Sequence, residues 1–429
     1  MRWALVNPPW TFAGSIYFGC REPHLPLELQ YSKVLLEELG HDALLIDAQL
    51  ECLGYQQIRE RLQRFAPDYT VITTAPSYLF WRCAPPELRV PQMTLRAISD
   101  IAGRTIAVGP HGSTTPRAAL RKLGVDVVVL GECEEVLVQL ASRNPDDWAK
   151  VKSIAFHDGP DIRVIGGPHS SALTALPALR WPAELLHKHQ HHHHRFDAKP
   201  SAPGAEMEVS RGCPYHCTFC AKDNFRNAYR KRPLAVILEE LDGLIAAGVE
   251  YVYFIDEIFM PDKELLEALA IREIKFGVQM RIDLWSIEML DLLGRAGCVS
   301  IEAGVESITE EGRNLLEKNC KLSTDQLAAR LIHARKTVPF VQANLLDSKS
   351  DSSESVEAFR QTLLQNNVWA NKPVPLFPYP GSPDYSLRWG LPDDNAWERA
   401  HDFYLGLFSR FSDIQEERPV PLRELERSA

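Results

Sequence analysis

Short β-branched runs alternate with amphipathic stretches in this chain, first over residues 1–145 and again from 206. That alternation restricts the fold more than any other feature, because strands each followed by a helix assemble into parallel sheets covered on both faces. In the first stretch the strands are read at 4–6, 43–47, 69–74, 104–109 and 126–130. Helical spacing falls at 27–39, near 55–65, 91–101 and 115–123, and from Glu132 onward. The expectation is an α/β, doubly wound parallel sheet over 1–145, with ligands beyond the carboxyl ends of its strands. That edge carries Pro9, Thr74, Ser77, Gly109, His111, Gly112, Ser113, Gly131 and Glu132. No G-x-G-x-x-G follows the first strand, which argues against an ordinary dinucleotide site.

Residues 146–205 read as a hairpin across Gly159-Pro160 followed by a Pro- and His-rich linker. Six histidines occupy eight positions at 187–194. Such a tract fixes no ligand geometry, and it is read as solvated low-complexity linker rather than a metal site. From 206 the pattern restarts, with strands expected at 206–210, 250–255, 275–281, 299–305, 338–345 and 373–377. Helices fit at 234–247, 262–270, 287–296, 324–336 and 353–365. Six such units over 206–385 predict a partial (β/α)6 barrel, its chemistry at the carboxyl strand ends. Residues 386–429 form a short, partly helical tail.

Composition limits the function classes. Of 429 residues, 45% are apolar and no apolar run reaches membrane-spanning length. Formal net charge is −10 and no basic block is present, which disfavours a nucleic-acid binder. Nine cysteines with no visible secretory signal indicate reduced thiols and a cytoplasmic protein.

Three of those cysteines cluster. Cys213, Cys217 and Cys220 stand at C-x3-C-x2-C directly after the first barrel strand. Thiolates suit iron–sulfur clusters or zinc. A structural zinc site needs four ligands, and the nearest fourth is His216, inside the tight loop. Three thiolates on a four-iron cluster leave one iron open to a substrate or cosubstrate, so the cluster is the favoured reading.

This triplet, with Phe219 before its last cysteine, resembles the radical S-adenosylmethionine (SAM) superfamily. Later strand ends agree: Asp256-Glu257, Arg281, Gly304-Val305-Glu306-Ser307 and Tyr379-Pro380-Gly381-Ser382-Pro383 look like that family's motifs. The first half resembles the Rossmann-like cobalamin-binding domain fused to many radical enzymes, through Asn7-Pro8-Pro9, 25–47, 109–116 and 128–134. The resemblance implies a [4Fe-4S] cluster on the three cysteines, and SAM against Phe219, Glu257, Arg281, Glu306 and Ser307. It also implies cobalamin against Pro9, Thr74, Ser77, Gly109, Gly112, Ser113, Gly131 and Glu132. Two departures stand out. The D-x-H-x-x-G of cobalamin domains that donate an axial histidine is absent, so His111 is read as shaping its turn or bonding a corrin amide. Gln342–Ser348 lacks the glycine-containing stretch usual after the fifth strand, which leaves the adenine contacts open.

The leading functional reading is a cobalamin-dependent radical methylase acting on an unactivated carbon of a small biosynthetic intermediate or peptide. Its implied partner is a reductant such as flavodoxin or ferredoxin, with no nucleic acid and no membrane. The same machinery without methyl transfer, a cyclase, ring-contraction or rearrangement enzyme, is the alternative. A non-catalytic cobalamin sensor or carrier is the third reading, and the intact cysteine triplet weighs against it. Because the His tract is read as linker, changing His191, His192, His193 and His194 to Ser should leave SAM cleavage within a few-fold of wild type. That is on the order of 1 kcal/mol or less in barrier height. A hundred-fold loss with cluster and cobalamin intact would mark the tract as functional.

Overall fold

The computed structural model describes residues 1–16, 23–76, 84–189, 203–226, 228–348, 350–407 and 419–427. The first sheet contains β1 (Arg2–Asn7), β2 (Asp42–Asp47), β3 (Tyr69–Thr73), β4 (Arg104–Val108) and β5 (Val127–Val129), all parallel to their neighbours. Their Val-, Ile- and Leu-rich runs are buried on both faces, as a doubly wound sheet requires. The hairpin read at Gly159-Pro160 is present as β6 (Ile154–Asp158) and β7 (Asp161–Ile165). It does not stand apart as a connector. β6 pairs antiparallel with β5, giving the order β2-β1-β3-β4-β5-β6-β7, so this sheet runs past the expected boundary at 145.

The segment after the hairpin is also more than linker. Leu173, Leu176, Leu179, Trp181 and Leu186 are buried, because these apolar side chains pack between the two halves. His187 is exposed at the end of the helix Ala183–Lys188, but His189 is fully buried. Its Nε2 lies 3.0 Å from the Glu206 carboxylate, and its Nδ1 lies 2.6 Å from the Gly204 carbonyl. The solvated reading therefore fails at His189, where a carboxylate and a carbonyl supply the partners that burial demands. His191 to His194 lie outside the described residues.

The second sheet comprises β8 (Gly204–Met207), β11 (Tyr251–Phe254), β12 (Lys275–Met280), β13 (Cys298–Glu306), β14 (Phe340–Leu345) and β15 (Trp369–Ala370). These are parallel and in sequence order, the open barrel expected from the pattern. The sixth strand lies at 369–370 rather than 373–377. Pro373 and Pro375 lack the N–H groups a ladder needs, and only Val374 makes an isolated bridge, to Leu346. A short antiparallel pair, β9 (Ser210–Arg211) and β10 (Arg230–Lys231), brackets the cysteine loop. The helices expected at 234–247, 262–270, 287–296, 324–336 and 353–365 are all present. Ser286, Ser323 and Ser352 cap three of them by accepting backbone N–H bonds.

One apolar cluster runs without a break from Trp3 and Leu29 of the first sheet's layers to Met207, Phe254 and Leu363 of the barrel. The tail joins it through Trp397, in the helix Ala396–Leu405, and through Leu422. Trp397 Nε1 donates to Thr115 Oγ1 at 3.2 Å, tying the tail to the first domain. No described helix is long and apolar enough to cross a membrane.

At the junction Asp47 is fully buried, accepting bonds from Asn7 Nδ2 at 2.8 Å and Leu50 N at 3.2 Å. Burial raises its pKa to about 6. Between about pH 4 and 6 the native state holds a proton that the unfolded chain has released, so this group's contribution falls as pH rises. Asp47→Asn keeps the accepting oxygen. It should flatten that part of the stability curve of the cofactor-free chain, and raise stability at pH 7 by on the order of 2 kcal/mol in urea titrations.

Candidate active site

The cysteine loop leaves and returns at one point because β9 and β10 pair across its ends. Gly212 begins the excursion with φ +79°, and a Cβ there would lie 2.1 Å from the Ala228 carbonyl oxygen. Only glycine fits that crossing. Inside the loop Cys220 N donates to Cys217 O at 3.1 Å, and Thr218 N donates to Leu316 O at 3.1 Å. The three thiols line one wall of a cavity of about 330 Å³ at the carboxyl ends of the barrel strands. Burial pushes all three thiols up, Cys220 to about 12. As free thiols they are therefore neutral, and they become ligands where a cationic group displaces their protons.

The donor set fits an iron–sulfur cluster better than zinc. Among the described residues no three His, Cys, Asp or Glu side chains converge as around a single ion. His216, the one candidate fourth ligand in the loop, is turned outward with its side chain 67% exposed.

Phe219, Glu257, Arg281 and Glu306 all line the same cavity. Arg281 lies 3.9 Å over the Tyr215 ring and pairs with Asp283 at 2.8 Å, which holds its guanidinium beside the thiol loop. Glu306 reaches the cavity through a register shift between β13 and β14 and a left-handed backbone at φ +65°. The missing side chain of Gly304 gives it room, since a Cβ there would lie 2.5 Å from Glu306 Oε1. Its carboxylate meets Lys318 Nζ at 2.9 Å. Glu257 Oε2 accepts from Gly212 N at 3.0 Å and Oε1 from Arg226 at 3.3 Å.

Ser307 departs from the expectation. It is buried, does not line the cavity, and donates to Asp351 Oδ1 at 2.8 Å, an oxygen that also accepts from Thr309 Oγ1 at 2.6 Å. Asp256 is likewise inward, accepting from Ser210 Oγ and Val209 N, and burial lifts it to about 7.

In the first domain, Ile16 and Ala84, from the loops after β1 and β3, line the same cavity. Thr74 ends β3 fully buried, with no hydrogen-bond partner for its Oγ1 among the described residues. That orphaned hydroxyl suits a polar ligand on this edge. Pro9 is half-buried after β1, and Gly109 holds φ +127° after β4. Ser77 lies outside the described residues. Gly112, Ser113 and Gly131 are occupied by the domain itself. A Cβ on Gly112 would lie 2.3 Å from Val128 Cγ1, and one on Gly131 would lie 2.3 Å from His169 N. Ser113 Oγ accepts from Gly131 N at 2.8 Å. Glu132 turns away into ion pairs with Arg211 (3.0 Å) and Arg230. Although burial opposes its charge, those arginines hold it ionised, with a pKa of about 2. His111 packs on Trp397 with ring centroids 4.6 Å apart; burial lowers its pKa to about 3, so the ring is neutral.

Several cavity residues carried no sequence signal. Lys222, Gln279, Lys318 and Tyr404 reach it from a 310 turn, a strand, a loop and the tail. Only the fold brings them together.

Residues 207–346 match the radical SAM superfamily. The match takes in the cysteine loop and the barrel strands β11 to β14. Over 83% of its length the chain is 24% identical to the anaerobic magnesium-protoporphyrin IX monomethyl ester cyclase of Cereibacter sphaeroides, covering 58% of that protein. It is 27% identical to the hopanoid C-3 methylase of Methylococcus capsulatus, with 83% of this chain and 67% of that one covered. It thus spans about three fifths of the length of the cyclase. In structure it resembles the radical SAM methyltransferase TsrM of Kitasatospora setae, solved with cobalamin and a [4Fe-4S] cluster, at TM-score 0.71 and 17% identity. That match covers 89% of this chain and 76% of TsrM. The cobalamin-dependent enzyme OxsB matches at TM-score 0.66 and 16% identity, over 99% of this chain and 57% of OxsB. The two-domain α/β architecture is therefore that of these enzymes.

Because the apolar cluster that joins the two domains contains none of the three thiols, a Cys213→Ala, Cys217→Ala, Cys220→Ala variant should remain folded by circular dichroism. It should lose the roughly four irons per chain expected after anaerobic reconstitution. A full iron complement in the variant would overturn the assignment.

Proposed function

We propose that the chain is a cobalamin-dependent radical SAM C-methyltransferase acting on a small biosynthetic intermediate or peptide. The observation that carries this reading is one cavity lined by residues of both domains, the three thiols of the barrel loop together with Ile16 and Ala84 from loops of the first sheet. Bound there, a [4Fe-4S] cluster would supply the electron for SAM cleavage and cobalamin a transferable methyl group. Cys213, Cys217 and Cys220 hold the cluster. Glu257 offers a carboxylate to the SAM amino group, while Arg281, Glu306 and Phe219 orient the rest of the cosubstrate. Pro9, Thr74 and the Gly109 turn hold the corrin. Apolar side chains such as Ile258, Leu376 and Phe377 line the remaining wall and exclude water, which protects a reactive intermediate from quenching. A flavodoxin- or ferredoxin-like donor delivers the electron.

The cyclase relatives support a second reading, in which the same cavity performs a rearrangement without methyl transfer. Product analysis separates the two. Reconstituted, reduced protein supplied with SAM and cobalamin should release 5′-deoxyadenosine, and with substrate also S-adenosylhomocysteine and a product heavier by one methylene. A product with no added methyl carbon, formed with 5′-deoxyadenosine and no S-adenosylhomocysteine, would favour rearrangement or cyclisation, and absence of SAM cleavage would overturn both.

A further inference from the structure

Glu257 sits on the cavity wall, and the arginine that holds it is itself held from the other domain. Its two oxygens are held by Gly212 N (3.0 Å) and by Arg226 Nη1 (3.3 Å). The second nitrogen of the same guanidinium, Nη2, donates to Glu28 Oε1 at 3.0 Å. Glu28 lies in the first turn of the helix Leu27–Glu38, which packs on the first sheet. Both Glu28 and Arg226 are fully buried, so neither has water as a competing partner. A guanidinium presents its donors in a rigid planar fork, so moving one carboxylate displaces the geometry offered to the other.

We infer that Arg226 is a positioning residue that couples the seating of the first domain to SAM binding, through the hydrogen-bonded chain Glu28–Arg226–Glu257–Gly212. The last member is the backbone N–H immediately before Cys213, so the chain orients the carboxylate and the start of the thiol loop together. This rests on the proposed contact between Glu257 and the SAM amino group. By linkage, a corrin that stabilises the docked first domain tightens SAM binding, and SAM tightens corrin binding by the same factor.

The test uses the full chain. Glu28→Ala removes the acceptor at the far end of the relay, and Glu28→Gln restores one oxygen in the same place. In the cofactor-free protein, amide exchange in a peptide covering residues 208–216 should accelerate in Glu28→Ala and match wild type in Glu28→Gln. In the cluster- and cobalamin-loaded protein, Glu28→Ala should weaken SAM binding about tenfold by calorimetry at unchanged iron content, with Glu28→Gln close to wild type. Arg226→Lys keeps the buried charge but cannot bridge two carboxylates through a fork, and it should reproduce the Glu28→Ala losses even if Glu28→Ala folds poorly. Unchanged exchange and SAM affinity in Arg226→Lys, or equal losses in Glu28→Gln and Glu28→Ala, would overturn the relay. If wild-type holoprotein binds no SAM, the functional reading fails instead, and the exchange measurement decides the relay without it.

Discussion

The ion pairs buried between the two domains are the constraint on which the site depends. Arg211, Arg226, Arg230 and Arg232 flank the cysteine loop, and they meet Glu28, Glu132 and Glu134 from the first domain and Glu208, Glu240 and Glu257 from the barrel. Taking such charges out of water costs several kcal/mol per ion, recovered only by close, multiple pairing. The pairing here is multiple. Arg211 alone touches Glu132 at 3.0 Å, Glu134 at 2.8 Å and Glu208 at 2.6 Å. Carboxyl groups nevertheless outnumber guanidiniums, and burial pushes the Glu28 pKa up to about 8 against the pull of Arg226.

Such a network adds little net stability over an apolar junction, but it specifies one geometry. An apolar interface tolerates small slips, whereas planar guanidiniums accept carboxylates along few directions. The specificity is needed at this point. The thiol loop is an excursion of mostly irregular backbone whose own contacts are few, and its two ends are pinned by arginines anchored in the opposite domain. The shared apolar core sets the distance between the domains, and the charges set their register.

Most of the fold was legible in the sequence because both sheets are parallel, and parallel strands advertise themselves as continuous apolar runs. What misled was local chemistry. Proline at 373 and 375 removes the donors that a strand over 373–377 would need, yet the apolar pattern there resembles one. The hairpin was legible as a hairpin, but its attachment to β5 is a tertiary choice with no local signature. Similarly, His189 shares a low-complexity tract with its neighbours and is distinguished only by Glu206, seventeen residues later in the chain. The cysteines were legible as chemistry because three thiols at fixed spacing have few structural explanations. Glycines such as Gly112 and Gly131 were not separable from ligand-approach glycines, since close packing against Val128 or His169 imposes the same requirement.

The cavity itself is divided by the origin of its walls. Its charged side chains, Lys222, Glu257, Arg281, Glu306 and Lys318, come from the barrel's strand ends and loops around the thiols. Its apolar lining includes Ile16 and Ala84 of the first domain, Val374 to Phe377 and the tail's Tyr404. Phe377 meets Tyr379 at 4.6 Å and Tyr404 at 5.3 Å edge-on, so the tail is locked onto that lining by aromatic packing. In the proposed function, charge directs a zwitterionic cosubstrate to the lining around the thiols, and the apolar lining is left for a partner that tolerates low dielectric. Placing ionic recognition and dry surface on different structural units lets the apolar wall vary, through loops and tail, without disturbing the strand ends that address the thiols. In this chain the first domain completes part of the apolar lining, so the shape of the cavity is fixed only when the buried arginines have set the two domains in register.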